Sequence, residues 1–517
     1  MKTILYTFIF LMMSQVLMAQ ILHVPQQYST IQNGIDAAQT GDTVLVASGT
    51  YYEYINFNGK AITVASHFIT TGDTAMISQT VIKAHPDSVS SYRAIIWFRN
   101  NEARQSVLCG FTLRDNNRSL GGGGISCQHA SPTLKNLKII NNYATYEGSG
   151  IWCVDSASPL IAHVELLGNT CTHYGGAIAC KNFSNPEIFD VVMTGNISRF
   201  GSGGGGGFYC TEFCSPVFEN VTFSLDSSDQ SGSAILCFQS NITVRNALIT
   251  DNHVWQDEHG GTIALYDSSI GNFTNITMTN NTGNTDGGVY LYGGSSATFT
   301  NSILYNNAPA ELFFNEMSSP ATLTVSHCNI AGGEAGVVHS DSISIQWLEG
   351  NIDADPAFAG SGATPFALSE SSPCIDTGTA DTTGLMLPAV DLLMNHRIWD
   401  GNHNGVAIID MGAYEFDSAP LGVVSPENPG SEATALTVFP NPAKESFEVA
   451  FDLEKAQQVS LQIFSLTGVL VHQMPATLYQ RGSRQLTVDV SHLRPGIYLL
   501  RLMSSEGITT QASVVVR

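Results

Sequence analysis

The chain runs to 517 residues, too long for one average domain and long enough for two or three with large cores. Charged residues make up only 13%, against about 25% in an ordinary soluble protein, and 44 acids against 21 Lys and Arg leave a net charge of −23. That balance excludes a phosphate-driven nucleic-acid binder, which needs a basic face.

At the N-terminus, Lys2 precedes an apolar stretch from Ile4 to Leu17 that ends at Leu17-Met18-Ala19. A positive n-region, an apolar h-region and a small residue at the cut describe a signal peptide over residues 1–19. No later apolar run is long enough to cross a bilayer, so no transmembrane segment is expected in the mature chain.

Ten cysteines in an exported protein ordinarily suggest disulfides. Here Cys127, Cys153, Cys180, Cys210 and Cys237 recur at intervals of 26, 27, 30 and 27 residues. One thiol per repeat suits a stacked inward position in which Cys acts as a small core hydrophobe, mostly free and buried. Leu265 and Leu291 continue the register without the thiol. A second fixed point follows at Asn136, His163, Asp190, Asn220, Asn246, Asn275 and Asn301. Six residues on comes a third, at Asn142, Asn169, Asn196, Asp226, Asn252, Asn281 and Asn307. Alternation between the two, as in Leu137-Lys138-Ile139, marks a strand. The Gly runs 121–124 and 203–207 precede strands rather than helices, so they read as tight corners and not phosphate loops. A unit of this size cannot bury its own apolar face and must stack on its copies, with the third-point Asn amides forming a ladder. A parallel β-helix over 20–350 satisfies these demands.

This region resembles the right-handed parallel β-helix proteins of the pectin-lyase-like superfamily. The resemblance includes an N-terminal entry at Val24-Pro25, Tyr28-Ser29-Thr30-Ile31-Gln32 and Gly49-Thr50-Tyr51. There Ser29 and Gln32 have capping-box spacing for a short helix through Ala38, suited to cover the first coil.

Residues 351–416 carry Asp353-Ala354-Asp355-Pro356, Ser372-Pro373-Cys374-Ile375-Asp376 and Asp410-Met411-Gly412-Ala413-Tyr414-Glu415. These motifs resemble the closing segment known as choice-of-anchor Q. Asp376, Asp391, Asp410 and Glu415 around one Arg397 suggest a buried charge network capping the last coil. Within it Asp400, Asn402 and Asn404 stand at positions 1, 3 and 5 of a loop with Gly405 at 6, a partial calcium-loop match. Position 12 is Met411, with Asp410 one residue early. Calcium is therefore an expectation on four candidate ligands: Asp400, Asn402, Asn404 and Asp410.

A Pro-bearing linker over 417–432 leads to 433–517, where short alternating strands suit a small β-sandwich. Phe439-Pro440-Asn441-Pro442, Thr467-Gly468, Leu493-Arg494-Pro495-Gly496-Ile497-Tyr498 and the final Val516-Arg517 resemble the type A C-terminal sorting domain of the type IX secretion system. The resemblance implies a Bacteroidetes-type bacterium and recognition by the type IX machinery. It further implies removal of the tail, with the rest released or attached to surface lipopolysaccharide. The fold expected is thus all-β, a right-handed parallel β-helix followed by a small C-terminal β-sandwich, secreted or on the cell surface.

The loops between the third fixed point and the next Gly stack along one edge and collect aromatics and acids. Tyr146, Tyr174, Trp255 and His259 are the candidate ligand-binding residues on that edge, and Asp229, Asp257, Glu258 and Asp286 the candidate catalytic acids. Asp229 and Asp257 lie eight residues before Cys237 and Leu265, which predicts that they are neighbours. Aromatics beside acids suit a surface protein that binds extracellular polysaccharide or adheres. A polysaccharide lyase or glycoside hydrolase working from the acids is the alternative, and a passive surface spacer is a third reading. Fold alone does not decide between an enzyme and a binder.

Overall fold

The computed structural model describes residues 19–84, 93–117, 119–199, 203–256, 260–284, 287–315, 320–339 and 343–420. In the tail it describes 437–439, 443, 446–453, 455–465, 470–491, 493, 496–504 and 509–516. The body of the expected signal peptide and most of the linker lie outside these residues. Contacts divide the chain into two units, Met1–Ser418 and Ala419–Arg517.

Strands of the first unit pair in parallel, one copy per repeat. An 11-stranded sheet stacks short strands such as Ile125–Gln128, Ile151–Val154, Ile178–Lys181, Phe208–Cys210 and Ile235–Phe238. Its register pairs Cys127 with Cys153, Cys153 with Cys180, Cys180 with Cys210 and Cys210 with Cys237, then runs on through Leu265 to Leu291. The thiols fill the solenoid axis as read from the spacing, and all ten cysteines are buried and free. Burial pushes the Cys171 and Cys328 thiols up to about 12. Corners between strands close on glycine. At Gly205, with φ 69°, an added Cβ would lie 2.6 Å from the Phe208 carbonyl oxygen.

The second fixed point is a bend inside a longer strand. Asn136, His163, Asp190, Asn220, Asn246, Asn275 and Asn301 all take left-handed φ, between 51° and 55°. In the strand Thr133–Ile140 the buried residues are Leu134, then Leu137 and Ile139, so the phase of alternation resets across Asn136. One left-handed residue turns the chain a corner without breaking its sheet pairing, and Asn, Asp and His tolerate that conformation best among residues with a side chain.

The third fixed point is the ladder. Asn142 donates from its backbone N–H and its Nδ2 to Asn169 Oδ1, both at 3.1 Å, and Asn169 does the same to Asn196 at 3.0 Å. Asn196 repeats the pair to Asp226 Oδ1, at 2.7 and 2.9 Å. Beyond Asp226 the pattern resumes through Asn252, Asn281 and Asn307, and Asn307 donates to the Glu311 carboxylate. Each second amide proton reaches a backbone carbonyl one rung back, as in Asn169 to Ile139 at 2.8 Å and Asn196 to Leu166 at 3.0 Å. Among the ladder's own rungs, the side-chain oxygen of each accepts from the rung before it, so the asparagine-to-asparagine bonds all run the same way along the axis.

Two expectations need correction. The first helix, Ile31–Ala37, is capped by Thr30, whose side chain accepts from the Asn33 N–H, and not by the Ser29–Gln32 box. Glu53 takes the Ile31 and Gln32 N–H groups, which leaves Gln32 to bond Asp36 and Asn56. The segment after Asn351 does not simply cap the last coil. It runs back along the row of bends: Thr379 N–H donates to Asn301, Asn275 Nδ2 to the Asp410 and Gly412 carbonyls, and Asn246 Nδ2 to the Val390 carbonyl. Arg397 is buried within it, donating to the Gly412 carbonyl with Glu415 3.9 Å away. Burial raises Glu415 to about 9 and Asp410 to about 7.

The second unit is a pair of antiparallel sheets. Thr437–Phe439, Ser446–Leu453 and Gly482–Asp489 form one, and Gln457–Ser465, Leu470–Tyr479, Gly496–Ser504 and Thr509–Val516 the other. Alternate residues Phe447, Val449 and Phe451 meet Val459, Leu461 and Ile463 in one core, the packing that a sandwich of two half-apolar sheets requires.

Candidate functional site

The loop edge is itself a sheet in part. Ser119–Gly121, Tyr143–Glu147, Thr170–Cys171, Ile197–Ser198, Ser227–Ser228 and His253–Val254 pair in parallel. Backbone bonds continue the register one residue further: Arg199 N–H donates to the Cys171 carbonyl at 2.9 Å, Asp229 to Ser198 at 3.1 Å and Trp255 to Ser228 at 2.9 Å. Thr172, Arg199, Asp229 and Trp255 therefore occupy successive rungs of one column. The Arg199 guanidinium lies 5.7 Å from the centre of the Trp255 ring, reaching past the rung that carries Asp229. Such a contact holds the indole by attraction of the cation to the ring face.

Asp229 is only 8% exposed. Counted forward along the strand it stands beside Trp255, whereas counting back from Cys237 and Leu265 pairs it with Asp257. The two counts differ because the later loop is longer. Asp257, Glu258, His259 and Asp286 lie outside the described residues. Of the expected binding aromatics, Tyr146 is 53% exposed and packs on the His173 ring at 5.6 Å, and Trp255 is 49% exposed with His253 at its edge. Tyr174 is half-buried and stacks on Tyr209 at 4.5 Å, so one of its faces is already covered.

In the partial calcium loop, Asp400 accepts the Asn404 and Gly405 amides at 3.0 and 2.8 Å. Asn402 accepts from the Asn404 N–H and Asn404 from the Val406 N–H. Asp410 is buried, with its two oxygens on the Asp376 and Phe416 amides at 2.6 Å. These side chains are spent on stabilising turns. Among the described residues no group of three or more His, Cys, Asp or Glu is placed to hold a metal.

Sequence reasoning passed over the outer face of the 11-stranded sheet. Between the inward thiols, the outward positions Trp152, Ala179, Tyr209, Leu236, Ala264, Tyr290 and Phe313 align rung on rung and form an apolar layer of their own. Phe238 and Tyr266 stack at 4.7 Å in the next outward column. The signal was present as an aromatic two residues after several of the rung glycines. Without the pleat direction, it reads as core.

Residues 176–349 match the family model for the right-handed β-helix region, and residues 437–517 match that for the secretion system C-terminal sorting domain. The chain is a right-handed β-helix protein with a type IX sorting tail. The tail assigns this β-helix protein to the type IX machinery for export and to the secreted or cell-surface compartment. Among the described residues no helix is long and apolar enough to cross a membrane. Of solved structures, the β-helix protein is similar to the enzymatically active domain of tailspike protein 4 of bacteriophage CBA120. That match has 11% identity and a TM-score of 0.22, and covers 89% of this chain and 61% of the tailspike chain, under two thirds of its length. No curated protein matches the sequence.

Proposed function

We propose that this exported protein binds extracellular polysaccharide through the loop edge beside the 11-stranded sheet. The observation that carries the reading is the pair of solvent-facing aromatics, Tyr146 and Trp255, each held by a partner ring or cation on a rigid parallel sheet. A preset aromatic face offers a sugar ring a flat apolar contact with little ordering cost, and the stacked rungs repeat that contact along a chain. Hydrolase or lyase chemistry draws on Asp229, Asp257, Glu258 and Asp286. Of these Asp229 is buried in its column, 8% exposed, which leaves little of its carboxyl open to a substrate. In this reading the sorting domain is removed on export, and the β-helix is released or attached to surface lipopolysaccharide.

The test exposes the mature chain to a panel of polysaccharides and scores both retention and new reducing ends. Binding predicts retention on at least one glycan, weakened by Trp255→Ala and Tyr146→Ala, with no product formed. New reducing ends in the wild-type reaction would replace this reading with an enzymatic one.

A further inference from the structure

The turn that follows several strands of the 11-stranded sheet holds two successive residues in the left-handed region. Asp155-Ser156 and Asp267-Ser268 show the ordinary solution, a short polar residue followed by serine, with φ between 53° and 65°. Of the three rungs between them, two carry phenylalanine at the second position, Phe183 at φ 59° and Phe213 at φ 63°, and the third has a single left-handed residue, Gln239. A bulky residue is strained there, whereas serine makes the same turn. Both rings are also turned to solvent, 53% and 61% exposed, and they stack on one another at 5.5 Å with an interplanar angle of 21°. The fold has no need of them, since Ser156 and Ser268 close the equivalent turns without an apolar side chain.

Polar groups lie between this pair and the loop edge. Lys181, on the outer face of the sheet one residue before the turn, sits 3.9 Å from Glu147 of the loop edge and 3.5 Å from Glu212, which precedes Phe213. Trp152 donates its indole N–H to Glu147 at 3.1 Å. A strip thus crosses the sheet from the Tyr146 side, over Trp152, Glu147, Lys181 and Glu212, to the stacked phenylalanines. It offers aromatic surface at either end and fixed hydrogen-bonding groups in the middle.

We infer that the Phe183–Phe213 platform is the second half of a glycan-binding strip that runs across the rungs, and that its ligand is a neutral polysaccharide. This rests on the proposed function and extends it. An alternation of apolar ring faces and hydroxyl-binding groups matches a pyranose chain, whose axial C–H faces are apolar and whose rim carries hydroxyls. An apolar peptide would instead have to strip water from Lys181 and two carboxylates. The charge selects neutral sugars. Lys181 is already flanked by Glu147 and Glu212, Asp155 lies one rung away, and the chain carries a net charge of −23, so uronates and sulfates meet repulsion.

The experiment is affinity electrophoresis of the mature full chain. The gels contain hydroxyethylcellulose, arabinoxylan or galactomannan, or else alginate or polygalacturonate. Wild type is expected to be retarded by at least one neutral polymer and by neither anionic one. Phe183→Ser with Phe213→Ser should weaken that retardation at least about tenfold, as loss of an aromatic anchor does, while its melting temperature does not fall below the wild-type value. Phe213→Tyr, which keeps a ring, should bind as wild type. Should the double variant fail to fold, Phe213→Ser alone removes the more exposed ring and reads the same quantity. If Trp255→Ala loses binding and the phenylalanine variants keep it, the platform is refuted and the loop-edge reading stands. Retention on the anionic gels alone refutes the neutral ligand class. No retention on any gel refutes both readings.

Discussion

Asp226 is the one rung at which the asparagine ladder carries an acid, and replacing it with asparagine should change how stability depends on pH. By analogy with its neighbours, the Nδ2 position of this rung faces the Asn252 Oδ1 on one side and the Met193 carbonyl, aligned with those of Leu166 and Phe223, on the other. Asp226 places Oδ2 there, fully buried and without a partner. An ionised oxygen facing two acceptors is repelled, whereas a protonated one donates. Burial raises the Asp226 carboxyl to about 8, against only partial relief from the Asn196 donors. The native state therefore holds a proton that the unfolded chain releases near its ordinary value of 3.8. The stability of this rung is complete below that value and is lost as pH rises toward 8. A rise of about four pH units at about 1.4 kcal/mol per unit gives a total on the order of 6 kcal/mol. Asp226→Asn supplies the missing donor at every pH. The assay is urea unfolding of wild type and variant at pH 5, 6.5 and 8, followed by tryptophan fluorescence. All five tryptophans lie between Trp97 and Trp399, so the signal reports the solenoid without the tail. The difference between the two proteins cancels the other buried acids and should grow by about 4 kcal/mol from pH 5 to 8, in favour of the variant. A difference that stays flat with pH refutes a protonated Asp226.

Asn169→Leu should destabilise the solenoid by about 2–4 kcal/mol in the same assay, because it strands the two donors of Asn142 and removes the donor to the Ile139 carbonyl. A loss below about 0.5 kcal/mol would mean that the ladder is not a net stabiliser. Ellman's reagent should titrate none of the ten thiols in the native protein and all ten in urea; native reactivity would place a thiol at the surface. Calcium at millimolar excess should leave the melting temperature unchanged, because the oxygens of Asp400 and Asp410 already hold backbone amides. A saturable rise that Asp400→Asn abolishes would make the loop a calcium site.

The part of the fold that repeats was legible from the sequence, residue for residue, because stacking forces the same side chain into the same environment at each turn. The cysteine register and the ladder follow from spacing alone. The meaning of the second fixed point was also within reach, since Asn, Asp and His share a tolerance for left-handed φ that other residues lack. What the repeat does not encode stayed hidden. The contact of Asn275 with Asp410 and Gly412 spans 135 and 137 residues, and no periodicity says along which face a closing segment will return. The same limit applies to the candidate site. Loops of unequal length slip the count: the strand column sets Asp229 beside Trp255, while Asp257, which the cysteine register pairs with it, lies outside the described residues. Phe183 and Phe213 escaped notice because exposure and backbone strain are properties of the coil, not of the letters.

The one-way run of the ladder also limits how this solenoid can change in length. A coil duplicated in the middle finds an acceptor ahead and a donor behind, so it slots in without altering its neighbours. A coil appended after Asn307 meets the Glu311 carboxylate, which accepts from Asn307 and has no amide to pass on. Growth by internal copying is therefore open to this protein, whereas growth at that end requires a new terminus for the ladder. Gene variants that differ by whole rungs should differ between Asn142 and Asn281, and keep the carboxylate where it is.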